Sequence, residues 1–394
     1  MLTVEQAAVL ILNDVPAPRI ETVPLSDALG RVLAEECASD LDMPPFDKSM
    51  MDGYAVRSAD SGPLEVIEEI PAGKTPAKEV RAGGCSKIMT GAPLPAGADA
   101  VQQVEKTRRD GDRVTLLAPV KPGQNIAPRA SDLRRGDVVL RAGQRIRAAE
   151  IGALAAIGRT RLRVHAKPRC AVLATGDELV PPDAVPGPGQ IRNSNTASIG
   201  AQVRTLGLEC DDLGVVRDDT ASIRAAIREG LKRDLLLLSG GVSAGDWDLV
   251  IPALEAEGVK IAMHQVLIKP GRPFCFAPRV FGLPGNPVSS FVIFEVFVRP
   301  YLGRLMGTDL ARPRIRARLE SALTQKIERV HYLPARVRLE GGEYVAATVP
   351  WKGSADLFAL TRADAFVVVP VQTSYEKGDS VECMLLDQTA GIRP

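Results

Sequence analysis

The segment Leu235-Leu236-Leu237-Leu238-Ser239-Gly240-Gly241-Val242-Ser243 gives the strongest indication of the fold class. Four consecutive leucines leave no polar face, so the strand that they form must be covered on both sides, as in a parallel sheet. Similar apolar runs, beginning with Cys170-Ala171-Val172-Leu173, alternate with helical patterns from residue 169 to about residue 307. This alternation predicts an α/β domain whose helices cover both faces of a parallel sheet.

Different patterns occur on either side of the α/β region. Helical patterns at the N-terminus, after Ser26 and over residues 148–157 enclose short β-like runs divided by Gly and Pro, which predicts a β domain inserted into a helical segment. Within the α/β region we expect a strand over residues 264–268 and a long helix over residues 287–306. The alternating tail predicts a C-terminal β sandwich or barrel. The predicted domains are a helical domain (1–42 and 144–166), an inserted β domain (43–143), an α/β domain (167–308) and a C-terminal β sandwich or barrel (309–394).

Length and composition exclude several classes of function. The 394 residues carry 49 Lys and Arg against 48 Asp and Glu, and aromatic residues make up 4%, so neither a basic surface nor stacking platforms for nucleic acid are expected. The most apolar stretch, 288–298, is far shorter than the roughly 20 residues of a membrane-spanning helix. Six cysteines without a CxxC pair, and the absence of a visible secretory signal, predict reduced thiols in a cytoplasmic protein.

Acidic residues follow several predicted strands. Glu178, Asp218 and Asp248 stand at carboxyl ends of strands, and in an open α/β sheet ligands bind at that edge. Three carboxylates there suit Mg²⁺ that holds a phosphate. A single Asp in this position is more often a helix cap, and Asp219, directly before a predicted helix, is interpreted as one.

Groups that bind anions follow the same strands. The Gly-rich turn 239–243 offers free backbone N–H groups before a helix. Lys269, Arg272 and Ser289 add cationic and hydroxyl donors. Each feature alone is also explained as a turn or a solvated charge. Together with the carboxylates they favour metal-assisted phosphate chemistry in one pocket.

Six segments carry a resemblance to a known family. Through them the chain resembles, over essentially its whole length, the molybdopterin molybdenumtransferase family, which includes bacterial MoeA and the E domain of gephyrin. The segments are MPPFDKSMMDGYAVR (43–57), MTGAPLP (89–95), TGDEL (175–179), SGGVS (239–243), KPGRP (269–273) and GLPGNPVS (282–289).

The resemblance implies an architecture and a reaction. The subunit would have a helical segment, an inserted β domain, a molybdopterin-binding α/β domain and a C-terminal β barrel, and would form a homodimer with its cleft between subunits. The enzyme would take molybdate and adenylylated molybdopterin, release AMP with the help of Mg²⁺, and leave molybdenum on the pterin. A molybdopterin adenylyltransferase and recipient molybdoenzymes are the further partners that the resemblance implies.

The resemblance also assigns roles to residues. Asp52 and Thr90 would complete the cleft of the partner subunit, while Glu178, Asp218 and Asp248 would organise metal, phosphate and attacking water. The implied substrate- and anion-binding residues are Gly240, Gly241, Ser243, Lys269, Arg272, Ser289, Arg329 and Ser354. The chain departs from the family pattern at Ser131, at Gln265 and at Pro334, where other members often carry charged residues.

Two other functions remain open at this point. A dimeric scaffold of the gephyrin type would keep the architecture and lose catalysis, but it would not need the acidic and anion-binding loops. An adenylyltransferase acting one step earlier would consist of the α/β domain alone, whereas this chain has domains on both sides of it.

Overall fold

The computed structural model describes residues 1–241 and 249–386. The chain divides into two compact units, one formed by Met1–Glu21 with Val164–Pro394 and the other by Thr22–Arg163. Strands Ile20–Pro24 and Arg161–His165 lie where the chain passes from one unit to the other. The finer division into four domains stays a prediction.

The unit Thr22–Arg163 is built around a mixed six-stranded sheet. Gly84–Ile88 and Pro63–Ile70 pair in parallel, and the other neighbours are antiparallel. In spatial order the strands are Ala100–Gln103, Gly53–Val56, Gly84–Ile88, Pro63–Ile70, Arg113–Leu116 and Thr107–Asp110. The remaining elements are the strand pairs Cys37–Ala38 with Val138–Leu140 and Lys48–Ser49 with Ile126–Ala127, the helix Ala148–Ala156, and the 3₁₀ turns Leu25–Asp27 and Val104–Lys106.

The helix predicted after Ser26 is wrong. A single 3₁₀ turn, Leu25–Asp27, occupies this position, and Gly30 follows it with a φ of 78° that a helix cannot continue through. The backbone N–H of Leu33 instead bonds to the carbonyl of Gln144 at 2.9 Å. The apolar spacing that suggested a helix therefore belongs to an extended segment held by a distant part of the chain.

The other unit contains the predicted α/β sheet, which has six strands. Four of them pair in parallel, and two more strands are added at one edge through antiparallel pairing, so the sheet is mixed where the sequence predicted a parallel one. In spatial order they are Cys210–Val216, Cys170–Thr175, Leu235–Ser239, Val280–Leu283, Cys275–Ala277 and Met263–His264.

Helices cover both faces of this sheet, as predicted from the leucine run. Leu235 and Leu237 belong to the core on one face, and Leu236 and Leu238 to the core on the other, because successive side chains of a strand alternate. The helices of this unit are Val4–Asn13, Asn195–Arg204, Thr220–Gly230, Val250–Ala256, Pro287–Ile293 and Arg299–Leu305, with the short helix Leu357–Leu360.

Two predicted elements of the α/β region have a different form. The strand expected over residues 264–268 is wrong, because Gln265, with a φ of 69°, separates Met263–His264 from Ile268–Lys269. The helix expected over residues 287–306 is present, but it contains one π-helical stretch, Phe294–Val298. Among the described residues, no helix has both the length and the apolarity that crossing a membrane requires.

The C-terminal part forms a closed β barrel. Val330–Glu340 pairs with Glu343–Thr348 on one side and with Ala365–Val369 on the other, which closes the barrel. The barrel strands are Arg314–Leu319, Val330–Glu340, Glu343–Thr348, Ala365–Val369 and Ser380–Leu385, and Leu323–Thr324 forms a separate pair with Ser374–Tyr375. In the α/β region, Leu179–Val180 forms a similar short pair with Ile191–Arg192. Ile268–Lys269 adds to the barrel sheet by pairing in parallel with Val330 and His331.

Candidate active site

A cavity of about 870 Å³ opens at the carboxyl ends of the parallel strands. We call it the strand-end cavity. Its floor and walls come from residues 175–179, 191–195, 239–241 and 284–287, with Asp218 at one side and Pro273 at another. Ala355, Leu357 and Phe358 of the C-terminal part line it as well. The position agrees with the rule that open α/β sheets bind ligands at this edge.

Two of the predicted carboxylates meet in the strand-end cavity. Glu178 and Asp218 both line it, and the backbone N–H of Asp218 donates to Asp177 Oδ1 at 3.3 Å. Partial burial and the negative charges of Asp177 and Glu178 raise the pKa of Asp218 above its usual value. The carboxylates therefore repel one another in the protein without a bound cation.

The Gly-rich turn lies against the end of the neighbouring strand. A Cβ at Gly240 would lie 2.7 Å from the carbonyl oxygen of Thr175, and a Cβ at Gly241 would lie 2.8 Å from Thr175 Oγ1. Both glycines also have positive φ values, 93° and 61°. The turn can approach Thr175 this closely because it lacks side chains. Among the described residues, Thr175 Oγ1 is buried without a hydrogen-bond partner, so a polar group faces this corner of the cavity.

Asn195 is a site residue that the sequence analysis missed. Its amide Nδ2 donates to Ser239 Oγ at 2.7 Å and to the carbonyl oxygen of Gly285 at 2.8 Å. Asn195 is the first residue of a helix, and these two bonds tie the helix to the end of the strand Leu235–Ser239 and to the loop around Gly285, both of which line the strand-end cavity. The run Asn193-Ser194-Asn195-Thr196 was a signal for it, because polar residues at a helix start beside a sheet edge are candidates for ligand contact.

The C-terminal part is attached beside the same cavity. The backbone N–H of Val288 donates to the carbonyl oxygen of Ser354 at 3.0 Å. Phe358, on the helix Leu357–Leu360, lines the cavity although its side chain is 75% exposed. Ser289 is buried in the helix Pro287–Ile293 and, like Ser354, is not part of the cavity wall.

The predicted cations lie in a second cluster. Lys269 pairs in register with His331 of the barrel strand, and Lys269 and Arg329 both act on the charge state of His331. We call Lys269, Arg329 and His331 the cationic cluster. Arg272 is exposed and donates to Gln265 Oε1 at 3.4 Å. Lys269, Arg272 and Arg329 are not part of the strand-end cavity wall, although Pro273, the neighbour of Arg272, is.

Two of the three predicted metal ligands, Glu178 and Asp218, lie among the described residues. Asp248 and Ser243 lie outside the described residues. Among the residues that are described, no three His, Cys, Asp or Glu side chains come together as a metal site. Mg²⁺ is commonly held by one or two carboxylates together with substrate phosphates and water. Glu178 and Asp218, which repel each other beside an open cavity, offer that donor set, so the residues fit the ion.

Asp52 and Thr90 belong to the unit Thr22–Arg163 and contact each other there. Asp52 Oδ1 accepts from the backbone N–H of Thr90 at 2.7 Å and from its hydroxyl at 2.8 Å. These two bonds lower the pKa of Asp52. The pair therefore keeps an exposed, ionised carboxylate in a fixed position on this unit.

The α/β sheet with its strand-end cavity and the attached barrel define a protein of the open α/β class, in which ligands bind at the carboxyl edge of the sheet. Three family models match the chain, described as "MoeA N-terminal region (domain I and II)" over residues 2–158, "Probable molybdopterin binding domain" over residues 171–304 and "MoeA C-terminal region (domain IV)" over residues 316–386. The second of these models covers the α/β part of the chain.

Full-length relatives agree with these matches. A molybdopterin molybdenumtransferase from Nostoc sp. is 35% identical and covers 95% of this chain and 91% of its own length. A molybdopterin molybdenumtransferase from Staphylococcus aureus is 32% identical, and the match covers 99% of this chain and 96% of that protein. The crystal structure of the molybdopterin biosynthesis moea protein from Pyrococcus horikosii has a TM-score of 0.85 at 33% identity, over 98% of this chain and 99% of that one. The chain belongs to the molybdopterin molybdenumtransferase family.

Proposed function

We propose that this protein is a molybdopterin molybdenumtransferase, which inserts molybdenum from molybdate into adenylylated molybdopterin and releases AMP. The observation that carries the proposal is the strand-end cavity, where Glu178 and Asp218 lie beside the glycine turn of a molybdopterin-binding domain. We propose further that the enzyme acts in the cytoplasm, after a molybdopterin adenylyltransferase and before the molybdoenzymes that receive the product.

The cavity residues suit cleavage of a pyrophosphate. The backbone N–H of Gly241 and the hydroxyl of Thr175 are donors for phosphate oxygens, whereas the N–H of Gly240 donates to the carbonyl oxygen of Leu283 at 3.1 Å. Water attacks phosphorus, the P–O bond to the AMP phosphate breaks, and the proton of the water passes to a carboxylate. Asp218 suits that role because its carboxylate lies at the wall of the strand-end cavity.

Glu178 and Asp218, with Asp248, are the residues that would hold Mg²⁺. When bound, this ion supplies positive charge that neutralises the pyrophosphate oxygens. Lys269, Arg272 and Arg329, with the hydroxyls of Ser243, Ser289 and Ser354, would bind molybdate and the nucleotide phosphate. Charge stabilisation in a cavity with little water then accounts for most of the rate.

The direct test is an assay of AMP release. Purified protein is incubated with adenylylated molybdopterin, molybdate and Mg²⁺, and AMP is measured by chromatography. We expect turnover that requires all three, with molybdenum found on the pterin afterwards. Absence of AMP from the complete mixture contradicts the proposed function.

We also propose a homodimer in which Asp52 and Thr90 of one copy complete the cleft of the other. Mixing Asp52→Ala and Asp218→Asn proteins, each inactive alone, tests this proposal. If the site is shared, the mixed dimers regain one intact site, which corresponds to about a quarter of the normal activity after random exchange between two-fold dimers. Failure to recover activity, with exchange shown by mass spectrometry, contradicts the shared cleft.

A scaffold without catalysis is not favoured. A scaffold gains nothing from carboxylates that repel each other in a cavity or from a buried Thr175 hydroxyl without a partner among the described residues. Such features lower the free energy of unfolding and are common at functional sites.

A further inference from the structure

His331 lies inside the cationic cluster with little access to solvent. The residue belongs to the barrel strand Val330–Glu340 and is 8% exposed. Its register partners are Lys269 on one side and Val369 on the other. Register partners in a sheet extend their side chains from the same face, so Lys269 and His331 are neighbours on that face. The ring of Trp351 packs against the imidazole, with centroids 5.9 Å apart.

The polar groups of this cluster have no partners in the part of the chain that the structure describes. His331 Nε2 is buried without a hydrogen bond among residues 1–241 and 249–386. Within the same residues, the side chains of Lys269 and Arg329 form neither an ion pair nor a hydrogen bond. By contrast, Arg312 and Arg314 of the same unit each pair with a glutamate. Lys269 and Arg329 are half-buried, whereas Nε2 of His331 is fully buried. Buried polar groups are normally satisfied, so this nitrogen beside two cations indicates a missing acceptor.

The charged residues that act on His331, among those that the structure describes, are both cations. Burial, then Lys269, then Arg329 lower the pKa of His331 from its ordinary 6.5 to about 4. The strand on the other side faces the imidazole with Val369, which has no charge. The imidazole is therefore neutral at neutral pH, and a neutral imidazole carries one N–H that can be donated.

Gln325 fixes the backbone around this cluster. Its Nε2 donates to the carbonyl oxygens of Arg329 at 2.9 Å and of Pro370 at 2.6 Å. Arg329 is thus anchored by its main chain while its guanidinium stays available. The arrangement holds two cations and one imidazole in place, and residues 1–241 and 249–386 supply no carboxylate that pairs with them.

We propose that His331 is a further ligand of the substrate oxyanion and donates a hydrogen bond from Nε2 to an oxygen of the tetrahedral dianion that Lys269 and Arg329 attract. This inference rests on the proposed function, which assigns those two cations to molybdate. An anion at this position would supply the acceptor that the cluster lacks. Its negative charge would also offset the effect of Lys269 and Arg329 on His331, so the pKa of His331 should rise when the anion binds.

The test uses the fact that the chain has three histidines. Full-length protein with ¹⁵N-labelled histidine is titrated with molybdate, and separately with sulfate, which does not change its own protonation near neutral pH. The ring nitrogen signals are followed by NMR. We expect the His331 signal to shift and its pKa to rise, while the His165 and His264 signals stay in place. His331→Phe identifies the signal by removing it.

Calorimetry measures the contribution of the hydrogen bond to affinity. His331→Phe, which lacks a donor, should bind molybdate about 10- to 100-fold more weakly than the unmodified protein. This is the loss of affinity expected when one hydrogen bond to a charged group is removed. His331→Gln retains an N–H and should keep most of the affinity. Thermal unfolding shows whether each variant is folded, and the titration of the unmodified protein decides the question if His331→Phe is not.

The outcomes separate this inference from the proposed function. If molybdate binds the unmodified protein while the His331 signal and pKa stay unchanged, or if it binds folded His331→Phe with full affinity, the inference is overturned and the proposed function stands. If molybdate does not bind in the presence of adenylylated molybdopterin and Mg²⁺, the oxyanion site of the proposed function fails together with the inference.

Discussion

The strand-end cavity and the cationic cluster belong to the same compact unit, but they are held together by different parts of the fold. The cavity consists of loops that follow neighbouring parallel strands, so Glu178, Asp218 and the glycine turn meet at one edge. The cluster depends on Ile268–Lys269 pairing with a barrel strand that begins about 60 residues later. Carboxylates repel each other in the first region, and cations surround a neutral imidazole in the second. Both charge patterns favour a ligand of the opposite sign, a cation in the cavity and an anion at the cluster.

The largest effect on activity should come from replacing a carboxylate of the strand-end cavity. Asp218→Asn is expected to lower AMP release by roughly a hundredfold or more, because it removes a carboxylate from proton transfer and from the metal site. The folded state raises the pKa of Asp218, so stability falls as pH rises from 3.8 through that pKa and stays reduced above it. The variant should therefore be more stable than the unmodified protein at pH 7 in urea unfolding.

The neighbouring Asp219 provides the matched control. Its carboxylate accepts from the backbone N–H of Ser222 at 2.9 Å and caps a helix, as the sequence predicted. Asp219→Ala should reduce the free energy of unfolding by about 1 kcal/mol and leave AMP release unchanged. Equal loss of activity in both variants would mean that the two aspartates do not have separate roles.

The cationic cluster should show itself in the pH dependence of stability. Since folding lowers the pKa of His331 to about 4, the unfolded chain binds the proton more readily, and the free energy of unfolding falls as the pH drops from 6.5 to about 4. The contribution is at most about 3 kcal/mol. In urea unfolding, the free energy of unfolding of His331→Phe should therefore change less between pH 7 and pH 4.5 than that of the unmodified protein. An unchanged difference contradicts the charge assignment.

The glycine turn tests how tightly the strand-end cavity is built. Gly241→Ala places a Cβ 2.5 Å from Val250 Cγ2, in addition to the strain of a φ of 61°. Gly258 has a φ of 80° and open space around the position of a Cβ, so Gly258→Ala measures the strain alone. We expect Gly241→Ala to be destabilised by about 2 kcal/mol more than Gly258→Ala. Equal melting temperatures would show that the turn tolerates a side chain.

The smallest effect should come from Phe358 at the edge of the cavity. An exposed aromatic ring beside the cavity can stack on a flat heterocycle, and such contacts contribute about 1 kcal/mol. Phe358→Ala should raise the KM for adenylylated molybdopterin several-fold while kcat changes little. Leu339→Ala, another exposed apolar residue of the barrel that does not line the cavity, serves as the control. A change in kcat alone contradicts stacking.

The acidic residues at the strand ends were predictable because each signal lies within a few residues. An apolar run predicts a buried strand, and the polar residue that follows it must lie at the carboxyl edge. Thus Glu178, Asp218, Gly240 and Gly241 were placed correctly at one cavity by local patterns. Asp219 was assigned to helix capping because Thr220 and the predicted helix follow it directly.

The sequence by itself determined the α/β sheet with helices on both faces, a C-terminal part made of β strands and the acidic edge, because these follow from hydrophobic periodicity over short windows. The tertiary structure alone decided the rest. Gln265 breaks the expected strand, so Lys269 joins the barrel sheet beside His331, and Asn195 joins two loops of the cavity. Contacts between residues far apart in the chain form only when several elements pack together, and no local pattern encodes them.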